Sequence, residues 1–248
     1  MDGNETLVAV ILAAGQGTRM RSDRAKVLHE ICGRPMIRYV VDAARSVSPD
    51  RIIIVVGHQA ESVIEEMKGE GVEFAIQTER LGTGHAVLMA KPMLEDYDGT
   101  LMVLTGDTPL LTPDTLAGLV RRHRETGASG TVLSAVLEDA TGYGRIIKDA
   151  DGSFLRIVEH KDADETERTV NEINSGIFCF RSVDLFDALS RVGNENKQGE
   201  YYLTDVMSIM RGEGKKTVVQ ECRDSREVMG INDVNQLEEA ERAIEGNG

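Results

Sequence analysis

The sequence predicts a three-layer α/β fold with a mainly parallel central sheet. Three observations carry that expectation. Continuous apolar runs recur at residues 7–12, 52–56 and 101–104, the first two rich in β-branched residues, and such runs suit strands buried on both faces, as in parallel sheets. Segments with apolar residues at helical spacing lie between them. The runs end at glycine-containing loops, where an open α/β sheet binds its ligands. The length of 248 residues fits one large α/β unit. No repeat of fixed period, low-complexity linker or charge run divides it. Residues 1–248 therefore read as a single domain, with a parallel half to about residue 130 and a mixed half over about 131–248.

In chain order, the first strand (7–12) runs into a glycine loop. Pro35 suits the first turn of a helix whose buried face is Ile37, Val40, Val41 and Ala44. A second strand (51–56) follows, then a helix marked by Val63, Ile64 and Met67. A short strand at 74–76 precedes a small helix over 84–90. After the strand at 101–104, Thr112 is a candidate N-cap with Pro113 in the first turn, and Leu116, Leu119 and Val120 mark the helix face. Beyond residue 130 the texture changes. Residues 146–148 and 154–158 flank the turn Asp149-Ala150-Asp151-Gly152 and read as a hairpin. A strand at 177–180 and helices over 183–189, 203–210 and 234–244 complete the outline.

Lys and Arg number 28 against 42 Asp and Glu, a net charge of −14. That balance disfavours nucleic acid and anionic membranes as partners; an anionic small substrate would need local cations or a metal. Cys32, Cys179 and Cys222 form no CxxC or Cys/His pattern, so reduced, semi-buried thiols are expected rather than a disulfide framework or structural zinc. The N-terminus has no basic region ahead of an apolar run, and residues 7–14 are too short for a membrane span. A soluble, cytoplasmic protein is expected.

The strongest chemical signal is Leu12-Ala13-Ala14-Gly15-Gln16-Gly17-Thr18-Arg19-Met20, with Lys26 close behind. A glycine loop after a strand offers backbone N–H groups to an anion, Arg19 adds a bidentate phosphate donor, and Lys26 a compact charge. The dinucleotide fingerprint needs a third glycine where Met20 stands, and the Gly-Lys-Ser/Thr of a Walker loop is absent. Gln77 offers a donor and an acceptor suited to a base edge, with Gly82, Thr83 and Gly84 allowing close backbone approach. His85 has no Ser or Cys nucleophile near it in sequence, which favours a structural role. Gly106-Asp107 sets a carboxylate just past a strand end, where a hard oxygen beside phosphates anchors Mg²⁺. Gly144, Glu159 and Asn174 are of types that read sugar hydroxyls and an amide. Asp233 suits an N-cap, and Asn232 could turn its side-chain oxygen to a metal.

Taken in order, these motifs resemble the N-acetylglucosamine-1-phosphate uridyltransferase family, the uridyltransferase (pyrophosphorylase) domain of bifunctional GlmU enzymes. The resemblance rests on Gly15 with Gly17-Thr18-Arg19-Met20, Lys26-Val27-Leu28-His29, Leu81-Gly82-Thr83-Gly84-His85-Ala86, Gly106-Asp107, Gly142-Tyr143-Gly144-Arg145-Ile146, Val158-Glu159-His160-Lys161, Asn174-Ser175-Gly176, Gln198-Gly199-Glu200-Tyr201-Tyr202 and Gly230-Ile231-Asn232. It implies a Rossmann-like nucleotidyltransferase (glycosyltransferase A-like) fold with a mixed sugar-binding half. It further implies that Leu12, Ala13, Gly15, Gln77, Gly82 and Thr83 hold uridine and its phosphates. Ala14, Gly17, Thr18 and Gly106 belong to the same candidate substrate-binding motifs. Arg19 and Lys26 are the candidate catalytic cations. Gly144, Glu159 and Asn174 would bind N-acetylglucosamine, and Asp107 and Asn232 would ligate Mg²⁺. Thr105 stands where some members carry tyrosine.

The implied substrates are UTP and N-acetylglucosamine-1-phosphate, giving UDP-N-acetylglucosamine and pyrophosphate. Another sugar-1-phosphate nucleotidyltransferase, or a non-catalytic nucleotide-sugar-binding module, shares part of this motif set; Arg19, Lys26, Asp107 and Asn232 together favour the enzyme. No left-handed β-helix hexapeptides follow Ile244, so the family's acetyltransferase activity is not expected from these 248 residues, and its trimer, which the resemblance ties to those repeats, is not assumed.

Overall fold

A computed structural model describes residues 6–20 and 22–246. Strand β1 (Leu7–Ala13) leads through a loop and two short 3-10 turns, Thr18–Met20 and Lys26–Leu28, to a hairpin of β2 (Glu30–Ile31) and β3 (Arg34–Pro35). Then come α1 (Met36–Arg45), β4 (Arg51–Val56), α2 (Ala60–Glu66), β5 (Glu73–Ile76), α3 (Thr83–Leu88), β6 (Thr100–Thr105) and α4 (Pro113–Thr126). The later part holds β7 (Gly130–Val136), the hairpin β8 (Arg145–Lys148) and β9 (Phe154–Val158), α5 (Glu165–Arg168), β10 (Glu172–Arg181), α6 (Ser182–Leu189), α7 (Asp205–Gly212), β11 (Thr217–Glu221) and α8 (Val234–Glu245).

The main sheet has the order β11-β7-β10-β6-β1-β4-β5, with β8 and β9 attached beside β10. Strands β6, β1, β4 and β5 pair in parallel, as do β11 and β7; β10 runs antiparallel to both β6 and β7. The fold is thus mixed α/β with a mostly parallel central sheet. Alternation along β1 explains its layers, because successive side chains point to opposite faces. Leu7, Ala9 and Ile11 pack with Ile37 and Val41 of α1, Val63 of α2 and Leu116 of α4. Val8 and Val10 pack with Val87 of α3, Leu185 of α6 and Met207 of α7. A strand apolar on both faces therefore calls for helices on both faces, and gets them.

Local signals act as expected in several places. Thr112 caps α4, its hydroxyl accepting from Thr115 N, and Asp233 caps α8 by accepting from Gln236 N. Pro35 lies one residue outside α1, closing the β2–β3 hairpin instead of sitting in the first turn. Strands β7 and β11 were not expected from the sequence, and β10 is longer than its apolar centre suggests. Cys179 and Cys222 are buried and free; Cys32 is free but exposed, against the expectation of semi-burial. Among the described residues no helix is long and apolar enough to cross a membrane.

Candidate active site

A cleft of about 590 Å³ opens at the carboxyl ends of β1 and β6. Of the residues singled out in the sequence, Leu12, Ala13, Ala14, Gly15, Gly17, Lys26, Gln77, Gly82, Thr83 and Asp107 line it. They arrive from three connections, after β1, β5 and β6, brought together because β1 lies between β4 and β6 and β5 follows β4. No α-helix starts at the glycine loop: α1 begins only at Met36. An anion at this loop would therefore meet the loop's own N–H groups and nearby cations rather than a helix dipole. Gly17 has φ +63°, and a Cβ there would fall 2.6 Å from Lys26 Cβ, so its glycine lets the loop fold over Lys26. The side chain of Thr18 lies outside the described residues.

Four side chains from three distant parts of the chain meet beside this loop. Lys26 Nζ donates to Asp107 Oδ2 and to Asn232 Oδ1 at 2.7 Å, and Arg19 Nη2 donates to the same Asn232 oxygen at 2.8 Å. The orientation of Asn232 is set by its Nδ2, which donates to Gly230 O at 2.9 Å. Backbone pairing of Ile231 N with Asp107 O at 2.8 Å carries the segment before α8 onto the end of β6. The Asp107 and Asn232 oxygens thus converge on one cationic centre. Among the described residues no group of three or more His, Cys, Asp or Glu is arranged to hold a metal. These two hard oxygens match a Mg²⁺ ion that takes one or two protein oxygens and completes its octahedron with phosphate and water.

Gln77 is buried at the cleft wall, and its Nε2 donates to Gly82 O at 3.1 Å. Gly82, with φ +109°, lies so close to the segment before α7 that a Cβ would be 2.6 Å from Tyr201 O. Three bonds stitch that approach: Tyr201 N to Leu81 O at 2.7 Å, Gly84 N to Tyr201 O at 2.8 Å, and Leu203 N to Thr83 Oγ1 at 3.1 Å. Gly106 is placed differently from expectation. It is buried, and its N–H already donates to Leu12 O at 2.9 Å, so it supports the cleft from beneath.

The three sugar candidates form a second cluster, outside the lining of that cleft. Asn174 N donates to Gly144 O at 2.9 Å, and a Cβ on Gly144 would be 3.5 Å from the Glu159 carboxylate. Asn174 stands where the β10–β7 register shifts between Asn174 and Phe178, and its Oδ1 accepts from Gly176 N at 3.0 Å. Such irregularities re-aim side chains near sites. Glu159 borders a cavity of about 380 Å³ shared with Asp162, Tyr202 and Asp205. Burial pushes its carboxyl above the ordinary range; the Thr204 hydroxyl, donating at 3.1 Å, opposes this, and the Asp205, Asp162 and Glu200 carboxylates reinforce it. Thr204 adjoins Leu203, so the same strap that holds Thr83 also holds Glu159.

Arg80, Thr105 and Glu200 also line the cleft and were not named as site residues from the sequence. The signal for Arg80 was present: it is a cation between Gln77 and Gly82, inside the motif already read as base-binding.

An α/β sheet with a glycine loop and convergent Lys, Arg, Asp and Asn side chains at its strand ends is the arrangement a nucleotidyltransferase needs. Residues 9–204 match the MobA-like NTP transferase domain, and the chain belongs to that family. It is similar to the bifunctional protein GlmU of Brevibacillus brevis, 53% identical over 233 residues that cover 94% of this chain and 50% of that protein. It is similar also to those of Lactobacillus johnsonii (52% over 236 residues, 95% and 51%) and Geobacter metallireducens (49% over 237 residues, 95% and 50%). The chain spans about half the length of the curated relatives it matches. A solved structure of UDP-glucose pyrophosphorylase complexed with UDP-glucose superposes with a TM-score of 0.78 at 19% identity, covering 98% of this chain and all of that one, a likeness of fold.

Proposed function

We propose that the protein transfers UMP from UTP to N-acetylglucosamine-1-phosphate, releasing pyrophosphate. The observation that carries this reading is the convergence of Lys26, Arg19, Asp107 and Asn232 beside the glycine loop. The relatives named GlmU support the choice of nucleotide and sugar.

A sugar phosphate is already a nucleophile, so the reaction needs no enzyme nucleophile or strong base. A phosphate oxygen of the sugar phosphate attacks the α-phosphorus of UTP. One P–O bond forms, the bond to the β-phosphate breaks, and its electron pair leaves with pyrophosphate. The barrier is the approach of an anion to phosphorus ringed by negative charge, so positioning and electrostatics dominate. Lys26, Arg19 and Arg80 screen that approach and the leaving group. The glycine loop holds phosphates through N–H groups, Gln77 reads the base, and Gly144, Glu159 and Asn174 hold the sugar. Asp107 and Asn232 would hold Mg²⁺, which supplies Lewis-acid neutralisation of phosphate charge when bound. A protein of charge −14 handles polyanions because its cations are local.

The test is pyrophosphate release with Mg²⁺ and a panel of nucleoside triphosphates and sugar-1-phosphates. UTP with N-acetylglucosamine-1-phosphate should be the fastest pair. Equal or faster turnover of glucose-1-phosphate overturns the sugar assignment, and binding of the nucleotide sugar without turnover overturns the catalytic one.

A further inference from the structure

We infer that His85 is a positioning residue that fixes which face of the Gln77 amide reads the base. The inference rests on the proposed nucleotide site. One atom of the Gln77 amide lies within hydrogen-bond distance of two partners, Gly82 O at 3.1 Å and His85 Nδ1 at 3.0 Å. A carbonyl oxygen can only accept, so that atom must be the NH₂ group, which has two hydrogens to give. His85 Nδ1 must then be the lone-pair nitrogen, and the ring proton sits on Nε2. The geometry alone selects both the amide orientation and the imidazole tautomer, which are otherwise interchangeable.

The consequence is chemical. Both Gln77 N–H bonds are committed to the protein, and among the described residues nothing donates to its Oε1. Gln77 is buried yet lines the cleft, so it offers a ligand an acceptor and no donor. An acceptor there pairs with the N3–H of uracil and repels the N3 lone pair of cytosine. Turning the amide over would set its oxygen against Gly82 O and the His85 lone pair. His85 is thus a specificity-determining residue that need not touch the substrate, and it sits at the third position of α3, directly behind the Gly82 loop.

The experiment compares kcat/KM for UTP and CTP in the wild-type chain, His85→Leu and His85→Asn, with N-acetylglucosamine-1-phosphate as acceptor. His85→Leu removes the acceptor. It should raise the KM for UTP and lower the UTP-to-CTP ratio by roughly three- to tenfold, the worth of one neutral hydrogen bond. His85→Asn puts Oδ1 near the position of Nδ1 and should restore the ratio. Equal losses for both nucleotides, with the ratio unchanged, overturn the positioning role while leaving the nucleotide site intact. A wild-type chain that does not prefer UTP overturns the site reading and this inference with it. Nitrogen-15 NMR of the wild-type imidazole supplies a readout that needs no substitution. It should show Nδ1 unprotonated and Nε2 protonated, and the opposite tautomer, or a doubly protonated ring, overturns the inference even where His85→Leu fails to fold.

Discussion

Asp107 and Asn232 present one charged and one neutral oxygen to the same point, and that difference makes their roles separable. On the proposed metal assignment, Asp107→Ala deletes the charged ligand. If a bound ion contributes several kcal/mol to the transition state, turnover should fall about a thousandfold or more, at about 1.4 kcal/mol per decade. Asn232→Ala deletes a neutral ligand, costs less, and should be partly rescued by high Mg²⁺. Neither substitution opens a core cavity, so the unliganded melting temperature should move by only a few degrees. Pyrophosphate release across a Mg²⁺ titration, with calorimetry alongside, checks this; a folded, nearly fully active Asp107→Ala protein at low Mg²⁺ defeats the metal assignment. Glu159 poses the opposite balance between function and stability. Its carboxyl is raised above the ordinary 4.5 by burial. A carboxyl raised on folding binds its proton more tightly in the native chain. Stability therefore falls as pH rises through the interval from the unfolded value to the raised one. Glu159→Gln removes the anion while keeping an acceptor for Thr204. It should raise the melting temperature at pH 7, leave it nearly unchanged at pH 4, and weaken the KM for the sugar phosphate by about tenfold with the KM for UTP little altered. A lower melting temperature at pH 7 would contradict the pKa direction.

At the scale of elements, the contact between the start of α3 and the segment before α7 ties the proposed nucleotide loop to the proposed sugar cluster. Gly82 is its tightest point. Gly82→Ala must place an alanine at φ +109° and a methyl 2.6 Å from Tyr201 O and 2.9 Å from Tyr201 N. Gly199 is the control, with φ +65° and nothing within 4 Å of a built Cβ. Gly199→Ala should cost only left-handed strain, about 1–2 kcal/mol. Gly82→Ala should cost more in calorimetry and raise the KM values of both substrates, because Leu81, Tyr201 and Leu203 must move apart. Equal effects from the two substitutions would show that the contact is slack. The same scale explains what could be read from the sequence. β1, β4 and β6 were legible because their apolar runs need no partner to identify them. β7 was not, because Thr131 and Ser134 interrupt Gly130-Thr-Val-Leu-Ser-Ala-Val. In the fold both are buried, and partners on other elements satisfy them: Thr131 Oγ1 lies 2.9 Å from His123 Nδ1 of α4, and Ser134 Oγ donates to Glu172 of β10 at 2.9 Å. β11 is an edge strand whose residues are only half-buried, so its pattern is weak. The glycine loop and Asp107 were legible from strand ends. Asn232, 206 residues from Lys26, entered the proposed metal pair through the family resemblance, since spacing cannot report a contact across the whole chain.

The whole molecule is organised by β10, the antiparallel strand that joins β6 of the first half to β7 of the second. Its insertion makes the sheet continuous, and the cores on both faces cross it. On one face Ile11 and Leu104 share a cluster with Leu133 and Ile173; on the other Val10 and Val103 share one with Phe178 and Met207. Chains beyond about 150 residues often unfold through intermediates, and two halves with separate cores would do so here. Shared cores on both faces instead require that losing either half strips apolar cover from the other. We therefore expect one calorimetric transition for the chain. Ligands of either half should move the whole of it. UTP at a hundred times its Kd should stabilise by about 2.7 kcal/mol. At roughly 2–4 °C per kcal/mol for a chain of this size, the shift is about 5–10 °C. Scanning calorimetry with and without UTP and Mg²⁺ decides the matter. Two resolved transitions, with nucleotide moving only one, would mean that β10 does not couple the halves and that residues 1–248 behave as two folding units.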